Sequence, residues 1–270
     1  MSCLSKHKSP RGERQRFTYM IKKNRTIAIV TLLCWLGPNT QAVAQQAMGT
    51  PGLIHVPSAE MDTAGVARVG AHYVDKHMIP DGMKLDGEKF NSLTSYLSIT
   101  PFRWIELGYG YTLWKLHRNN DKSQKTGFYA KDRYFSLRLQ PVREGQYWPS
   151  VVVGGNDVWG TGDNGHSGSE YYKNFYVAVT KHFDLGGNLI GVHAAYRKWK
   201  RDYNQKWNGP VGGLTFQPAF FPPLRLVGEY DGHSINAGAD CELFHLLLLQ
   251  ASLQQGRYFS AGLCLRIGLL

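Results

Sequence analysis

Alternation with a period of two residues runs through most of this chain and constrains its fold more than any other feature. In Trp104–Leu113 (WIELGYGYTL), Ile105, Leu107, Tyr109, Tyr111 and Leu113 fall on one face, and Glu106, Gly108, Gly110 and Thr112 on the other. Tyr258–Leu269 sets Phe259, Ala261, Leu263, Leu265, Ile267 and Leu269 against Ser260, Gly262, Cys264, Arg266 and Gly268. Asp132–Gln140 sets Phe135, Leu137 and Leu139 against Tyr134, Ser136, Arg138 and Gln140. Successive side chains of a strand point to opposite faces, so these runs specify strands with one apolar face and one small, polar or charged face. After Gly65 no run keeps a helical period beyond about two turns. Either a soluble sandwich or a barrel whose apolar face meets lipid would alternate in this way.

Connection lengths choose between them. The pattern predicts strands over 66–74, 91–100, 104–113, 132–140, 149–157, 171–181, 188–196, 210–217, 224–230, 233–239, 244–252 and 258–269. Long connections (75–90, 114–131, 158–170, 197–209) alternate with shorter ones (101–103, 141–148, 182–187, 218–223). Short turns at one end and long loops at the other mark an outer-membrane barrel. The strands are close to the roughly 9–11 residues that a tilted strand needs to cross a bilayer. Closure leaves no unpaired edge for lipid to meet. The reading is an all-β, antiparallel transmembrane barrel of about 12 strands over residues 66–270. The abundant Gly (30) and Tyr (15) among 270 residues suit strands that are only half apolar.

The segment before the barrel divides in two. Lys22, Lys23 and Arg25 precede a short apolar run, Thr26–Gly37, and Ala42-Val43-Ala44 is an A-x-A cleavage site. Residues 1–44 therefore read as a cleaved signal peptide, with Gln45 the first mature residue. Met20 stands where a signal peptide would begin, so residues 1–19 read as a misassigned start or as an extended positive region. Cys34 has Leu33 before it rather than the small residue of a lipobox. Residues 45–65 hold GTPGLIHVPSAEMDTAG (Gly49–Gly65). Pro51 and Pro57 lack backbone donors, so this cannot be an ordinary central strand. Its expected place is the periplasmic mouth or the lumen of the barrel, where irregular backbone is tolerated.

Charge excludes one class of partner. The formal net charge is +11, but eight Lys/Arg and one acid lie in residues 1–44. The remainder has 23 basic and 19 acidic residues, a net of +4, too mild for nucleic acid. Cys241 and Cys264 read as small strand residues rather than a disulfide. No H-E-x-x-H or C-x-x-C occurs, so neither a metal site nor a cofactor is predicted. Asn156–Ser169 carries Asp157, Asp163, His166 and Ser167 in a Gly-rich loop but matches neither an EF-hand nor G-x-S-x-G. Arg197–Trp207 (RKWKRDYNQKW) interleaves cations with aromatic rings, which suits an acidic glycan, lipopolysaccharide or anchoring at a membrane interface. The 114–131 connection is similarly basic. Glu106, Arg138, His193, Arg225, Glu229 and Arg266 fall on inward faces, as ion pairs filling the lumen or as the wall of a hydrophilic channel.

Gly49-Thr50-Pro51-Gly52-Leu53-Ile54 with Pro57-Ser58-Ala59 and Gly65 resembles the start of the YjbH-like family of exopolysaccharide-associated outer-membrane proteins. Pro149-Ser150 running through Gly154-Gly155-Asn156-Asp157 into Gly160-Thr161-Gly162 is similar to a second family segment, and Leu226–Asp231 to a third. Members are often much longer than this chain. The resemblance implies a barrel of the bacterial outer membrane that assists exopolysaccharide or capsule production and export without enzymatic activity. It brings no catalytic residues. Expected glycan contacts are Lys198, Trp199, Arg201 and Trp207 in the basic loop, with Arg138 and Arg266 inside. Expected partners are outer-membrane lipids, lipopolysaccharide, an acidic polysaccharide and other envelope proteins of an exopolysaccharide system. The alternatives are a lipid- or glycan-modifying enzyme using His166 and Ser167, and a porin-like or structural barrel.

Overall fold

The computed structural model describes residues 44–158, 171–200 and 208–269. Twelve antiparallel strands follow one another in chain order: β1 (Val66–Val74), β2 (Ser92–Phe102), β3 (Ile105–His117), β4 (Thr126–Val142), β5 (Ser150–Asn156), β6 (Asn174–Leu185), β7 (Asn188–Trp199), β8 (Gly209–Gln217), β9 (Leu224–Tyr230), β10 (Ile235–Leu243), β11 (Leu247–Gln254) and β12 (Tyr258–Gly268). Each pairs with its neighbours, and β1 pairs with β12, which closes the barrel. No α-helix occurs among the described residues; short 3-10 turns sit in the connections. The signal segment expected over 1–44 lies outside the described residues except for Ala44, which is buried inside the barrel beside Tyr96, Leu248 and Cys264.

The expected alternation resolves into two surfaces. Leu97, Leu107, Phe135, Val153, Val177, Leu226 and Leu263 point outward and stay 39–48% exposed. An apolar band around a closed barrel is what a bilayer requires of its lipid-facing side. Inward residues such as Thr112, Arg138, Thr180, His193, Glu229 and Gln254 are at most 3% exposed. Cys241 lies on an outward position and Cys264 on an inward one, two strands apart, and no disulfide joins them.

Two stretches expected as loops are strand. The β3–β4 ladder runs on from Leu113↔Lys131 through Trp114↔Ala130 to His117↔Thr126, past a bulge, so only 118–125 connects them. Charged side chains there can stand in water beyond the apolar band while the backbone goes on pairing. Likewise β7 continues through Arg197, Lys198 and Trp199, each paired with β6.

The two ends of the barrel differ. The connections 103–104, 143–149, 186–187, 218–223 and 244–246 gather at one end, with Val66 and Gly268; this is the turn end. The connections 75–91, 118–125, 157–173 and 200–208 share the other, the loop end, with two tight turns. There Met78, Ile79 and Met83 fold inward from the 75–91 connection and pack with Met48, Tyr134, Tyr172 and Trp199 into an apolar cap.

Candidate functional site

Residues 44–65 occupy the lumen. Gly49 turns the segment at φ +81°, and a Cβ there would run into the Tyr96 ring. Only glycine takes both the left-handed backbone and the close approach without cost. Isolated bridges, Gln45↔Pro51 and Gly52↔Pro57, fold the segment back on itself. That leaves many backbone groups without partners in the segment, and buried polar groups must be paired. The barrel wall supplies them. Glu229 accepts from the amides of Ile54 (2.9 Å), His55 (2.9 Å) and Val56 (3.1 Å). Arg138 donates to the carbonyls of Ser58 (2.7 Å) and Glu60 (2.8 Å), and Gln140 to that of Ala59 (2.8 Å). Tyr134 donates to the Met48 carbonyl and Gln250 to that of Gln45.

Charge follows the same logic. A buried charge is tolerated when it is paired and hydrogen-bonded. Arg225 bridges Glu60 (3.2 Å) and Asp240 (2.8 Å) and also donates to the Gly52 carbonyl. Arg138 pairs with Glu106 at 3.1 Å. Asp62, where the segment leaves the lumen, pairs with Arg68 at 2.5 Å and Arg266 at 3.1 Å. Burial works against ionising Asp62, but Arg68 and Arg266 outweigh it and hold the carboxyl below the ordinary aspartate range. Burial likewise opposes ionising Glu60, and Arg225 with His182 outweighs it, so this carboxyl is also lowered. A cavity of about 20 Å³ lined by Gln45, His72, Asp240, Gln250 and Gln254 remains beside the segment. That is room for roughly one water.

At the turn end a cleft of about 380 Å³ opens where the segment exits, lined by Glu60, Asp62, Gln140, Arg143, Glu144 and His182. His182 stands between two acids: Nε2 is 3.4 Å from Glu60 and Nδ1 2.7 Å from Glu144. Burial opposes ionising Glu144, and the backbone N–H and ring of His182 reverse that and lower its carboxyl. His193 lies beside His182, its ring nitrogens 3.0 Å from Thr180 Oγ1 and 3.1 Å from Thr215 Oγ1. Glu60, Glu144, His182 and His193 were not joined by any sequence motif. They come from four separate elements, and only the barrel register brings them together.

The expected glycan contacts do not form one surface. Lys198 points outward, whereas Trp199 points inward, 4% exposed, and packs in the loop-end cap under Arg197. The alternation that carries β7 to Trp199 forces this split, which corrects the reading of 197–207 as one loop. Arg201 and Trp207 lie outside the described residues, as do His166 and Ser167. Arg138 and Arg266 are inside as expected, but they are occupied by the N-terminal segment and by acids. Gly49, Gly52, Leu53, Ile54, Pro57, Ser58 and Ala59 all belong to that segment. Leu53 and Ala59 pack with Val152, Ala178 and Val227 of the wall.

Residues 44–269 match the profile of a family described as YjbH, exopolysaccharide biosynthesis protein YbjH. The chain belongs to the YjbH family. It is 25% identical over 267 residues to a protein described as "uncharacterized lipoprotein YjbH" from Escherichia coli strain K12, a match covering 83% of this chain and 35% of that protein. The chain thus spans about a third of the length of that YjbH relative. Among solved structures, the outer membrane phospholipase OMPLA of Salmonella typhi, described as a dimer with bound calcium, and the outer membrane phospholipase A of E. coli are each 10% identical with a TM-score of 0.35. Each match covers 75% of this chain, with 89% and 95% of the respective phospholipase chains. A likeness that slight says nothing of shared chemistry.

Proposed function

We propose that this YjbH-family chain is a non-enzymatic barrel of the bacterial outer membrane that assists exopolysaccharide or capsule production and export. The observation that carries the reading is a lumen filled by the chain's own N-terminal segment in a member of an exopolysaccharide biosynthesis family. A barrel whose inward charges are spent on its own backbone is suited to act as a fixed scaffold rather than an open pore. Its turn end faces the periplasm, because outer-membrane barrels keep short turns on that side and longer loops outside. The cleft beside Glu60 and His182 would then face the periplasmic side, where an acidic polysaccharide or another envelope protein of the system could be met. The outward Lys198 and the basic β3–β4 hairpin would meet anionic lipopolysaccharide headgroups at the outer surface. The E. coli relative's description as a lipoprotein agrees with a place in the envelope.

The test is deletion of the gene in its own host, with return of the intact gene as the control. Extracellular polysaccharide should fall while uptake of small hydrophilic dyes stays at the parental level. An unchanged polysaccharide yield would overturn the reading. The alternative of a lipid- or glycan-modifying enzyme makes a different forecast, an altered lipid or glycan profile of the envelope with exopolysaccharide yield intact.

A further inference from the structure

We infer that Glu60, His182 and His193 form a binding site for a divalent transition-metal ion of the zinc class, which clasps the lumenal segment to the barrel wall. One ligand comes from the segment, just before it leads into β1, one from β6 and one from β7. A ligand atom from each lies within 4.8 Å of the other two. Glu60 Oε1 and His182 Nε2 are 3.4 Å apart. Two ligands bound at about 2.0–2.2 Å in a tetrahedral zinc site are separated by about that distance. Two imidazoles with one carboxylate favour zinc-like ions over calcium or magnesium, which take oxygen ligands.

The surroundings supply what such a site needs. Metal-binding histidines hold their second ring nitrogen on a carboxylate, carbonyl or similar group, which fixes the ring and its tautomer. His182 does so through Nδ1 on Glu144 at 2.7 Å. His193 has a threonine hydroxyl at each nitrogen, Thr180 and Thr215, and a hydroxyl both donates and accepts. One hydroxyl can therefore hold the ring while the other gives up its nitrogen to the ion. Ser58 and Arg225 donate to the Glu60 carboxylate, as hydrogen-bonded ligand carboxylates require. The cleft that Glu60, Glu144 and His182 line is the entry path, and it leaves a fourth position for water. Of the cations near the site, Arg225 also pairs with Asp240, Arg138 with Glu106 and Lys181 with Glu144.

The experiment uses the full chain without a histidine tag, folded in detergent and stripped with a chelator. Zinc is added, excess ion is removed, and bound metal is measured by elemental analysis; Co²⁺ replaces it for visible absorption. The expected result is a single ion per folded chain, a raised thermal midpoint with zinc, and the intense bands of four-coordinate Co²⁺. His182→Gln with His193→Gln should abolish retention, and Glu144→Gln should weaken it by about 10–100-fold, with heat-modifiable gel mobility confirming that each variant is folded. A wild-type barrel that retains no ion, or a folded double variant that retains it fully, overturns the inference. If the double variant does not fold, the wild-type Co²⁺ spectrum decides: four-coordinate bands uphold the site, and six-coordinate or absent bands overturn it.

Discussion

Glu229 shows how much one side chain can carry here. Its carboxylate accepts from three successive amides of the lumenal segment and from the Asn236 amide. Hydrogen bonds to a charged group contribute about 1.5–3 kcal/mol each, and a buried donor left unpaired costs about 1–3 kcal/mol. Glu229→Ala should therefore lower unfolding stability in detergent by about 3 kcal/mol or more, and Glu229→Gln by less because one accepting oxygen remains. Urea titrations of the three proteins, followed by tryptophan fluorescence, measure this. A loss under about 1 kcal/mol for the alanine variant would mean that the amides find other partners. Sequence alone marks Glu229 as inward, since it alternates with Gly228 and Tyr230. What it faces stayed hidden, because Ile54–Val56 lie some 170 residues away in the chain. Glu60, His182 and His193 were illegible for the same reason: no local spacing links them. Trp199 failed differently. Its neighbours Lys198 and Lys200 suggest a solvated loop, but strand periodicity sends the indole inside.

At the scale of elements, the lumenal segment is held by charge, and its hold depends on pH. Glu60 and Asp62 both have carboxyl groups lowered below their ordinary values in the folded protein. The unfolded chain therefore binds protons more readily, and the stability these pairs contribute is fully present above the ordinary carboxylate range, near pH 4–4.5. It is lost as pH falls below that range toward the folded values. Thermal midpoints should fall as pH drops below about 4.5, and Asp62→Asn should reduce that fall while lowering the midpoint at pH 7. A midpoint that holds steady down to pH 3 would contradict the charge clamp. The segment's Gly and Pro residues indicated an irregular, non-strand element, and the strands themselves were legible in the alternation: β1 and β9 begin and end where the pattern does. The outer part of the β3–β4 hairpin was not, because it carries Lys115 and Lys131, and hydropathy loses its contrast where a strand leaves the apolar band. Backbone pairing continues there regardless, since the ladder does not need lipid on one face.

For the whole molecule, the question is whether anything passes through it. Both ends of the lumen are obstructed by the chain itself, with the apolar cap of Met78, Ile79 and Met83 at the loop end and the Asp62–Arg68–Arg266 cluster where the segment leaves at the turn end. Between them, the segment's backbone takes up Glu229 and Arg138, the groups that would otherwise line a channel. An even strand count and an inward polar face fit an open pore and a filled barrel equally well, so composition could not decide, whereas the hydrogen bonds do. The expected outcome in a planar bilayer is that the wild-type protein gives no stepwise conductance at neutral pH. A variant lacking residues 45–62, confirmed as a folded barrel by heat-modifiable mobility, should conduct. It loses the acids Glu60 and Asp62 and leaves Arg68, Arg225 and Arg266 with fewer partners, so its current should favour anions over cations. Sustained channels from the wild-type protein would show that the segment leaves the lumen readily, and the barrel would then act as a conduit whose gate is its own N-terminal segment.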